Sequence, residues 1–273
     1  MENYSKPQSA GRRKSIKGWY WLIVLPVWTY VAFLLAQLAV VAGQMLMMAL
    51  GVSLDAVNQT LYVTTLSALI YILAVVIVTG LPYLFWRRKT TRRELGAHAW
   101  PAWMDILLTV PTYVVYMIVT ALLLSVVVKL LPGIDLEQSQ QLPFSQTMLA
   151  SQWHYLLAFL TLVVFAPVAE EILFRGYLYG KLRRSAPVWL AIIITSVTFG
   201  AAHLWGGAGQ PLQWAVFFDT MALSVVLCVL REQTGAIWAS VLVHALKNGI
   251  AFYLLFVNPQ LIEQIQAAIL PLL

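Results

Sequence analysis

The sequence predicts an all-α, polytopic transmembrane helix bundle with about seven spans. Of its 273 residues, 61% are hydrophobic and only 10% are charged, whereas a soluble domain has about 25% charged residues. The hydrophobic residues form runs long enough to cross ~30 Å of hydrocarbon, which takes about 20 helical residues. These runs lack the alternation of barrel strands, so only helices can satisfy their backbone amides within a membrane.

Seven apolar runs define the predicted spans in chain order. They extend roughly over Trp19 to Gly43, Leu61 to Trp86, Trp103 to Leu131, Tyr155 to Gly176, Pro187 to Trp205, Leu212 to Leu230 and Ala236 to Val257. An eighth span or a re-entrant piece formed by residues 261–273 would be compatible with the same pattern. The first run is far longer than a signal-peptide core and six more follow it, so we expect it to be retained.

The distribution of basic residues predicts a cytoplasmic amino terminus. With that orientation, 15 of the 17 Lys and Arg residues fall on the inside, leaving Lys129 near an outside end and Lys247 within a helix. The net charge of +6 is confined to short segments between apolar runs, which is a membrane-topology pattern. We therefore expect membrane lipid as a partner and exclude nucleic acid.

Some features of the chain carry no predicted chemistry. The only cysteine, Cys228, lies in an apolar run and is expected to be a small buried hydrophobic residue. His98 and His154 stand beside tryptophans at span ends, where interfacial positions are expected. The longest outside loop, 132–152, is a candidate for a short interfacial helix.

Ionisable side chains within membrane spans are costly and therefore mark candidate functional positions. Here they concentrate in the last four spans. The polar set consists of Glu170, Glu171 and Arg175 in the fourth run, His203 in the fifth, Asp219 in the sixth, and His244, Lys247 and Asn248 in the seventh.

Helical geometry separates the two adjacent glutamates. Arg175 follows Glu171 by four residues, so these two side chains share a helix face and should pair. Glu170 is left without a local partner, and Pro167 just before it should bend the helix. The pattern therefore predicts a structural role for Glu171 and a chemical role for Glu170.

Residue counting places the candidate groups at a common depth. Glu170 and His203 both lie about 25 Å from the turn near Ala186, at ~1.5 Å per residue. His244 and Asn248 share one face of the seventh helix, roughly 14 and 20 Å from its start. All four groups are expected to meet near the middle of the membrane.

A second pair is predicted by the same counting. Asp219 and Lys247 are equally far from Gln233 at the tight turn between the last two helices, about 21 Å along each helix. Antiparallel packing would hold them at one depth as partners. The alternatives are that Lys247 reaches a carboxylate of the active cluster, or that Asp219 is protonated and bonds locally.

A carboxylate, two imidazoles and a carboxamide around one water could hydrolyse an amide, with Glu as general base and the others as donors to an oxyanion. The same residue types also build proton relays, ion sites and purely structural bonds in membrane helices. Their spacing leaves these alternatives open.

Three ordered motifs resemble those of a known family. Residues 170–175 fit EExxxR, 199–203 fit FxxxH and 244–248 fit HxxxN. They resemble the motifs of the CPBP family of intramembrane endopeptidases, which includes CAAX-processing and bacteriocin-processing enzymes. The resemblance covers about residues 155–257.

The resemblance implies roles for individual residues. Glu170 and His203 would activate the attacking water, and His244 and Asn248 would support the oxyanion, with Glu171, Arg175 and Phe199 in supporting positions. Family members were long described as metalloproteases and are now generally viewed as glutamate-dependent. We expect no cofactor and no metal, with zinc as the alternative, because the chain has no HExxH and its Glu and His residues lie on three helices.

The resulting expectation is an intramembrane glutamic endopeptidase acting on a membrane-associated or prenylated peptide in a prokaryotic cell membrane. The alternative is a non-catalytic scaffold or immunity-type membrane protein that uses the same polar cluster. The predicted regions are a basic cytoplasmic tail (1–18), amino-terminal transmembrane helices (19–150), a CPBP-like catalytic core (151–257) and an apolar carboxy-terminal tail (258–273).

Overall fold

The computed structural model describes residues 18–53, 57–136, 142–207, 209–261 and 264. Nearly all of the predicted basic tail lies outside the described residues, as does the candidate eighth span within 261–273 apart from Leu261 and Gln264. The described helices are α1 (Trp21–Ala49), α2 (Gln59–Trp86), α3 (Arg92–Leu95), α4 (Trp103–Leu130), a 3₁₀ turn (Gln146–Met148), α5 (Gln152–Leu182), α6 (Val188–Ala202), α7 (Trp214–Thr234) and α8 (Trp238–Val257).

The predicted fold class is confirmed. In the described part of the chain, six helices are long and apolar enough to cross a membrane, and the shorter α6 is also apolar. The chain is therefore a multi-pass integral membrane protein. The fifth predicted span reached Trp205, but α6 ends at Ala202, where the His203 backbone N–H turns back to the Gly200 carbonyl at 2.9 Å. Its 15 residues cover only about 22 Å.

The helices differ in how far the rest of the bundle surrounds them. In their most apolar stretches, 56% of α7 and 50% of α5 residues are buried by protein, against 17% for α2 and 11% for α4. Helices α5 and α7 thus form the centre, while α2 and α4 present mainly apolar side chains outward. An apolar outward face is stable only against lipid, which agrees with the membrane assignment.

The basic connections lie together at one end of the bundle. Glu94 in α3 forms ion pairs with Arg184 and with Lys181, the latter at 3.4 Å, and its backbone carbonyl accepts from Arg231. Three connections predicted to be cytoplasmic are therefore in contact, as the charge distribution requires.

Close approach of α6 and α7 depends on a glycine within the second motif. A Cβ atom on Gly200 would lie 2.8 Å from the backbone oxygen of Phe217. A larger residue would push the two helices apart, so Gly200 fixes the positions from which Phe199 and His203 enter the bundle.

Candidate active site

Glu170 is the meeting point of the predicted site. Its side chain is 13% exposed, and its Oε2 atom lies 3.8 Å from Nε2 of His203 and 3.8 Å from Nε2 of His244. Three residues from three separate helices, α5, the end of α6 and α8, therefore converge as their depths predict. One carboxylate oxygen faces two imidazole nitrogens.

The backbone contact of His203 defines which ring nitrogen faces Glu170. Its Nδ1 atom lies 2.8 Å from the carbonyl oxygen of Phe199. A carbonyl only accepts, so Nδ1 carries the proton in this arrangement. In the neutral ring, Nε2 is then a proton acceptor directed toward Glu170. The end of α6 at Ala202 allows this bond, because the imidazole folds back onto the last helical turn.

Glu171 orients the second histidine as well as pairing with Arg175. The predicted ion pair is present at 2.8 Å, with both side chains 0% exposed. The same Oε1 atom also lies 3.0 Å from Nδ1 of His244. This second contact was not predicted, because it joins residues far apart in the chain. Glu171 therefore links the buried arginine to a residue of the candidate site.

Phe199 lies at the centre of the cluster and is fully buried. Its ring centroid is 4.6 Å from that of His203 and 5.8 Å from that of His244. The guanidinium of Arg175 stands 4.4 Å from the same ring, where the aromatic face attracts a cation. Phe199 thus separates the buried charge of Arg175 from the two imidazoles while packing against all three.

The position of Asn248 follows from the irregular backbone of α5. Residues Leu160–Phe165 are π-helical, so the Ala166 N–H donates to Thr161 instead of Leu162. Pro167 has no N–H to offer either. The freed carbonyl of Leu162 accepts a hydrogen bond of 2.9 Å from the Asn248 amide. The irregular backbone before Pro167 therefore leaves the Leu162 carbonyl available to hold the Asn248 side chain.

Tyr71 is a site residue that the motifs do not include. Its hydroxyl on α2 donates to Glu170 Oε1 at 2.8 Å, so each carboxylate oxygen has its own partners. The amino-terminal half contains no family motif, and a single tyrosine in an apolar span is a weak signal. Its depth in the middle of the second span was the only indication in the sequence.

A cavity of about 190 Å³ connects these groups. It is lined on the polar side by Glu170, His203, His244 and Asn248, and it reaches Pro143 and Phe256 on the apolar side. All four predicted catalytic residues therefore border one space. The supporting residues Glu171 and Arg175 lie behind it.

The predicted pairing of Asp219 and Lys247 is confirmed. Lys247 Nζ lies 3.2 Å from Asp219 Oδ2, and Tyr116 on α4 donates a hydrogen bond to the other carboxylate oxygen. The tyrosine was not predicted. Lys247 also borders the cavity, so this pair braces α7 against α8 at the edge of the candidate site.

The remaining sequence expectations can be located simply. Cys228 is buried, as predicted. His98 is exposed, and His154 contacts Asn58 at 2.9 Å, both away from the cavity. The described part of the 132–152 loop contains only the 3₁₀ turn Gln146–Met148.

The donor atoms around Glu170 are spaced more widely than the ligands of a zinc site. Metal–ligand distances of 2.0–2.2 Å hold tetrahedral nitrogen and oxygen ligands about 3.4 Å apart, whereas each imidazole nitrogen here is 3.8 Å from the carboxylate oxygen. Among the described residues, no group of three or more His, Cys, Asp or Glu side chains has the arrangement of a metal site. The two separations around Glu170 are therefore wider than those of a tetrahedral zinc site.

Comparisons with known proteins agree with the motif assignment. An uncharacterized 24.3 kDa protein of Escherichia coli is 31% identical over 91 residues, which are 33% of this chain and 40% of that protein. The chain thus matches about two fifths of the length of this relative. No solved structure matches the chain.

The family model of type II CAAX prenyl endopeptidases, described as Rce1-like, matches residues 152–250. This range contains all three motifs and, with them, Glu170, His203, His244 and Asn248. Over residues 152–250 the chain is therefore similar to the Rce1-like type II CAAX prenyl endopeptidases, which supports the resemblance of its three motifs to those of the CPBP family.

Proposed function

We propose that this protein is an intramembrane endopeptidase of the CAAX type, in which Glu170 activates a water molecule to hydrolyse a peptide bond. The observation that supports this most is the placement of one partly buried carboxylate oxygen 3.8 Å from two imidazole nitrogens. The three groups border a cavity that also holds a carboxamide.

The spacing has room for a shared water. A separation of 3.8 Å is too long for a direct hydrogen bond, for which about 2.7–3.2 Å is usual. A water oxygen beside the line joining Glu170 Oε2 and His203 Nε2 can lie about 2.8 Å from both atoms. Such a water would donate one proton toward the carboxylate and the other toward the imidazole.

The proposed reaction conserves protons throughout. Glu170 removes a proton from water while the oxygen attacks the carbonyl carbon of the substrate, which forms a tetrahedral intermediate. When that intermediate collapses, the C–N bond breaks and the protonated Glu170 returns its proton to the leaving amine. Tyr71 holds the other carboxylate oxygen, so the reacting oxygen keeps its direction.

Donors for the oxyanion come from α8 in this proposal. One N–H of Asn248 is used by Leu162, and the second remains for the substrate. His244 directs its Nδ1 proton at the Glu171 carboxylate. Its neutral ring then presents Nε2 to the cavity as an acceptor, which can bind the hydroxyl of the tetrahedral intermediate while Asn248 donates to the oxyanion.

The substrate class is inferred from the family and the cavity. The apolar side of the cavity, at Pro143 and Phe256, suits the aliphatic residues that follow the modified cysteine of a prenylated CAAX peptide. Similarity to an Escherichia coli protein supports a prokaryotic cell membrane as the location.

The test is cleavage of a prenylated CAAX peptide by the purified protein in lipid nanodiscs, with the released tripeptide measured by mass spectrometry. Glu170→Gln should reduce the rate by at least about a hundredfold, because the amide cannot take a proton from water. Glu232→Gln is the matched control, since Glu232 pairs with Arg183 at the bundle end, and it should retain activity.

Three results would contradict the proposal or part of it. A correctly folded Glu170→Gln variant with full activity would remove the general base. Loss of activity on exhaustive chelation, with recovery on adding zinc, would replace the metal-free reaction by one that uses zinc. Failure of the parent protein to cut the prenylated peptide would reject this substrate class.

A further inference from the structure

A second, larger cavity lies at the end of the bundle that carries the basic connections. Its volume is about 500 Å³. It is formed by the beginning of α1, the end of α2, the segment that follows α2, and the end of α5. No described residue that lines it also lines the candidate active site. The two cavities are therefore separate.

The floor of this cavity is aromatic and aliphatic. Trp21, Leu25 and Trp28 of α1 face Trp86 of α2 across it. Val24 and Trp86, which also line it, are 43% and 65% exposed on the bundle surface. Because this surface lies within a helix predicted to be surrounded by lipid, the cavity opens sideways toward acyl chains as well as toward the polar interface.

The rim of the cavity is cationic. Four basic side chains line it, from Arg88, Lys89, Lys181 and Arg184, and the described lining residues include no Asp or Glu. Glu94 pairs with both Lys181 and Arg184, so it offsets about one of the four charges. Among the described residues, no carboxylate forms an ion pair with Arg88 or Lys89.

Aromatic rings hold Arg88 and Lys89 in place. The Arg88 guanidinium stands 4.6 Å from the ring centroid of Trp21, and Lys89 Nζ stands 5.6 Å from that of Tyr83. These contacts direct both charges to the level of the tryptophans. Tryptophans favour the membrane interface, where lipid headgroups lie.

We propose that this cavity binds an anionic phospholipid of the predicted cytoplasmic leaflet. The phosphate would lie among Arg88, Lys89 and Arg184, and an acyl chain would lie along Trp21, Val24 and Trp28. Basic pockets between transmembrane helices on the cytoplasmic side bind anionic headgroups by this chemistry. The basic rim lies at the level of the headgroups and the apolar floor at the level of the acyl chains, which matches the arrangement of phosphate and chains in a phospholipid.

The binding is tested by native mass spectrometry of the delipidated full-length protein, titrated with phosphatidylglycerol or phosphatidylcholine. Phosphatidylglycerol should bind with clear preference. The double variant Arg88→Gln with Lys89→Gln should bind it about thirtyfold more weakly, since each basic side chain near an anionic headgroup contributes a factor of about five.

The matched control removes the same charge from the same connection. Arg92 and Arg93 are exposed and do not line the cavity, so Arg92→Gln with Arg93→Gln should change the affinity little. A second variant, Val24→Trp, tests the apolar part, because a larger side chain would fill the acyl channel and should weaken phosphatidylglycerol binding while all four cations remain.

Several outcomes would overturn the proposal. Equal loss in both double variants would indicate diffuse attraction between a basic surface and an acidic lipid. Equal affinity for phosphatidylcholine would remove the role of the cations. Displacement of the lipid by inorganic phosphate would assign the site to a soluble anion, and displacement by a farnesylated cysteine without phosphate would assign it to a prenyl chain.

Discussion

Replacing Glu171 by Gln should destabilise the protein far more than the same change at Glu232. Each glutamate pairs with an arginine at nearly the same distance, 2.8 Å to Arg175 and 2.9 Å to Arg183. The pairs differ in burial, since the first has both side chains 0% exposed and the second has 19% and 36%. The main difference between the two variants is therefore the burial of the arginine that loses its partner.

The expected magnitude follows from that difference. Removing one partner of a buried ion pair costs about 3–5 kcal/mol, because the other charge is left uncompensated. The ring of Phe199 offsets part of this for Arg175, by about 1–2 kcal/mol. The loss for Glu171→Gln should therefore be about 1–4 kcal/mol. For the partly exposed pair of Glu232 and Arg183, the loss of attraction should be about 0–1 kcal/mol.

The measurement is reversible unfolding in mixed micelles with increasing sodium dodecyl sulfate, followed by tryptophan fluorescence. A third variant, Glu171→Gln with Arg175→Met, removes both buried charges and should recover part of the lost stability. Hydrolysis by the folded Glu171→Gln protein should also decrease, because His244 loses the carboxylate that orients its ring.

Equal stability of Glu171→Gln and the parent protein would refute this reasoning. So would equal losses in the Glu171 and Glu232 variants, because burial would then have no effect on the cost. A third outcome is a Glu171→Gln protein that is unstable but cleaves at the parent rate when folded. The structural role of the ion pair would then stand, and the proposed orientation of His244 by Glu171 would be wrong.

Three further predictions concern the surroundings of the site. Tyr71→Phe should lower the rate about tenfold with little change in KM or stability, since it removes one hydrogen bond to a charged oxygen of Glu170; an unchanged rate would reject its positioning role. Asp219→Ala and Lys247→Ala should each lower the free energy of unfolding, and the double variant should lose clearly less than the sum of the two losses. Strictly additive losses in the same unfolding assay would show that the two residues do not act as a pair. Asn248→Ala should reduce kcat about a hundredfold through loss of an oxyanion donor, and a purely structural role would instead appear as lost stability with normal kcat.

The sequence alone determined the fold class of the protein and predicted most residues of the candidate site. Composition and run length identified membrane helices, because hydrocarbon permits few other backbone arrangements. Helical periodicity then paired Glu171 with Arg175, and residue counting brought Glu170 to the depth of His203 and Asp219 to that of Lys247. These inferences succeeded because a membrane helix has a fixed rise per residue and its turns lie at defined interfaces.

Only the tertiary structure decided which groups complete the site. Tyr71 reaches Glu170 from a helix that has no motif, and Glu171 contacts His244 across the bundle. Both contacts depend on how the helices are rotated and tilted against one another, and depth along a helix does not specify rotation. The sequence also could not predict the π-helical turn that frees the Leu162 carbonyl for Asn248. Pro167 predicts that a backbone hydrogen bond is missing nearby, but it does not specify which side chain will donate to the carbonyl left free.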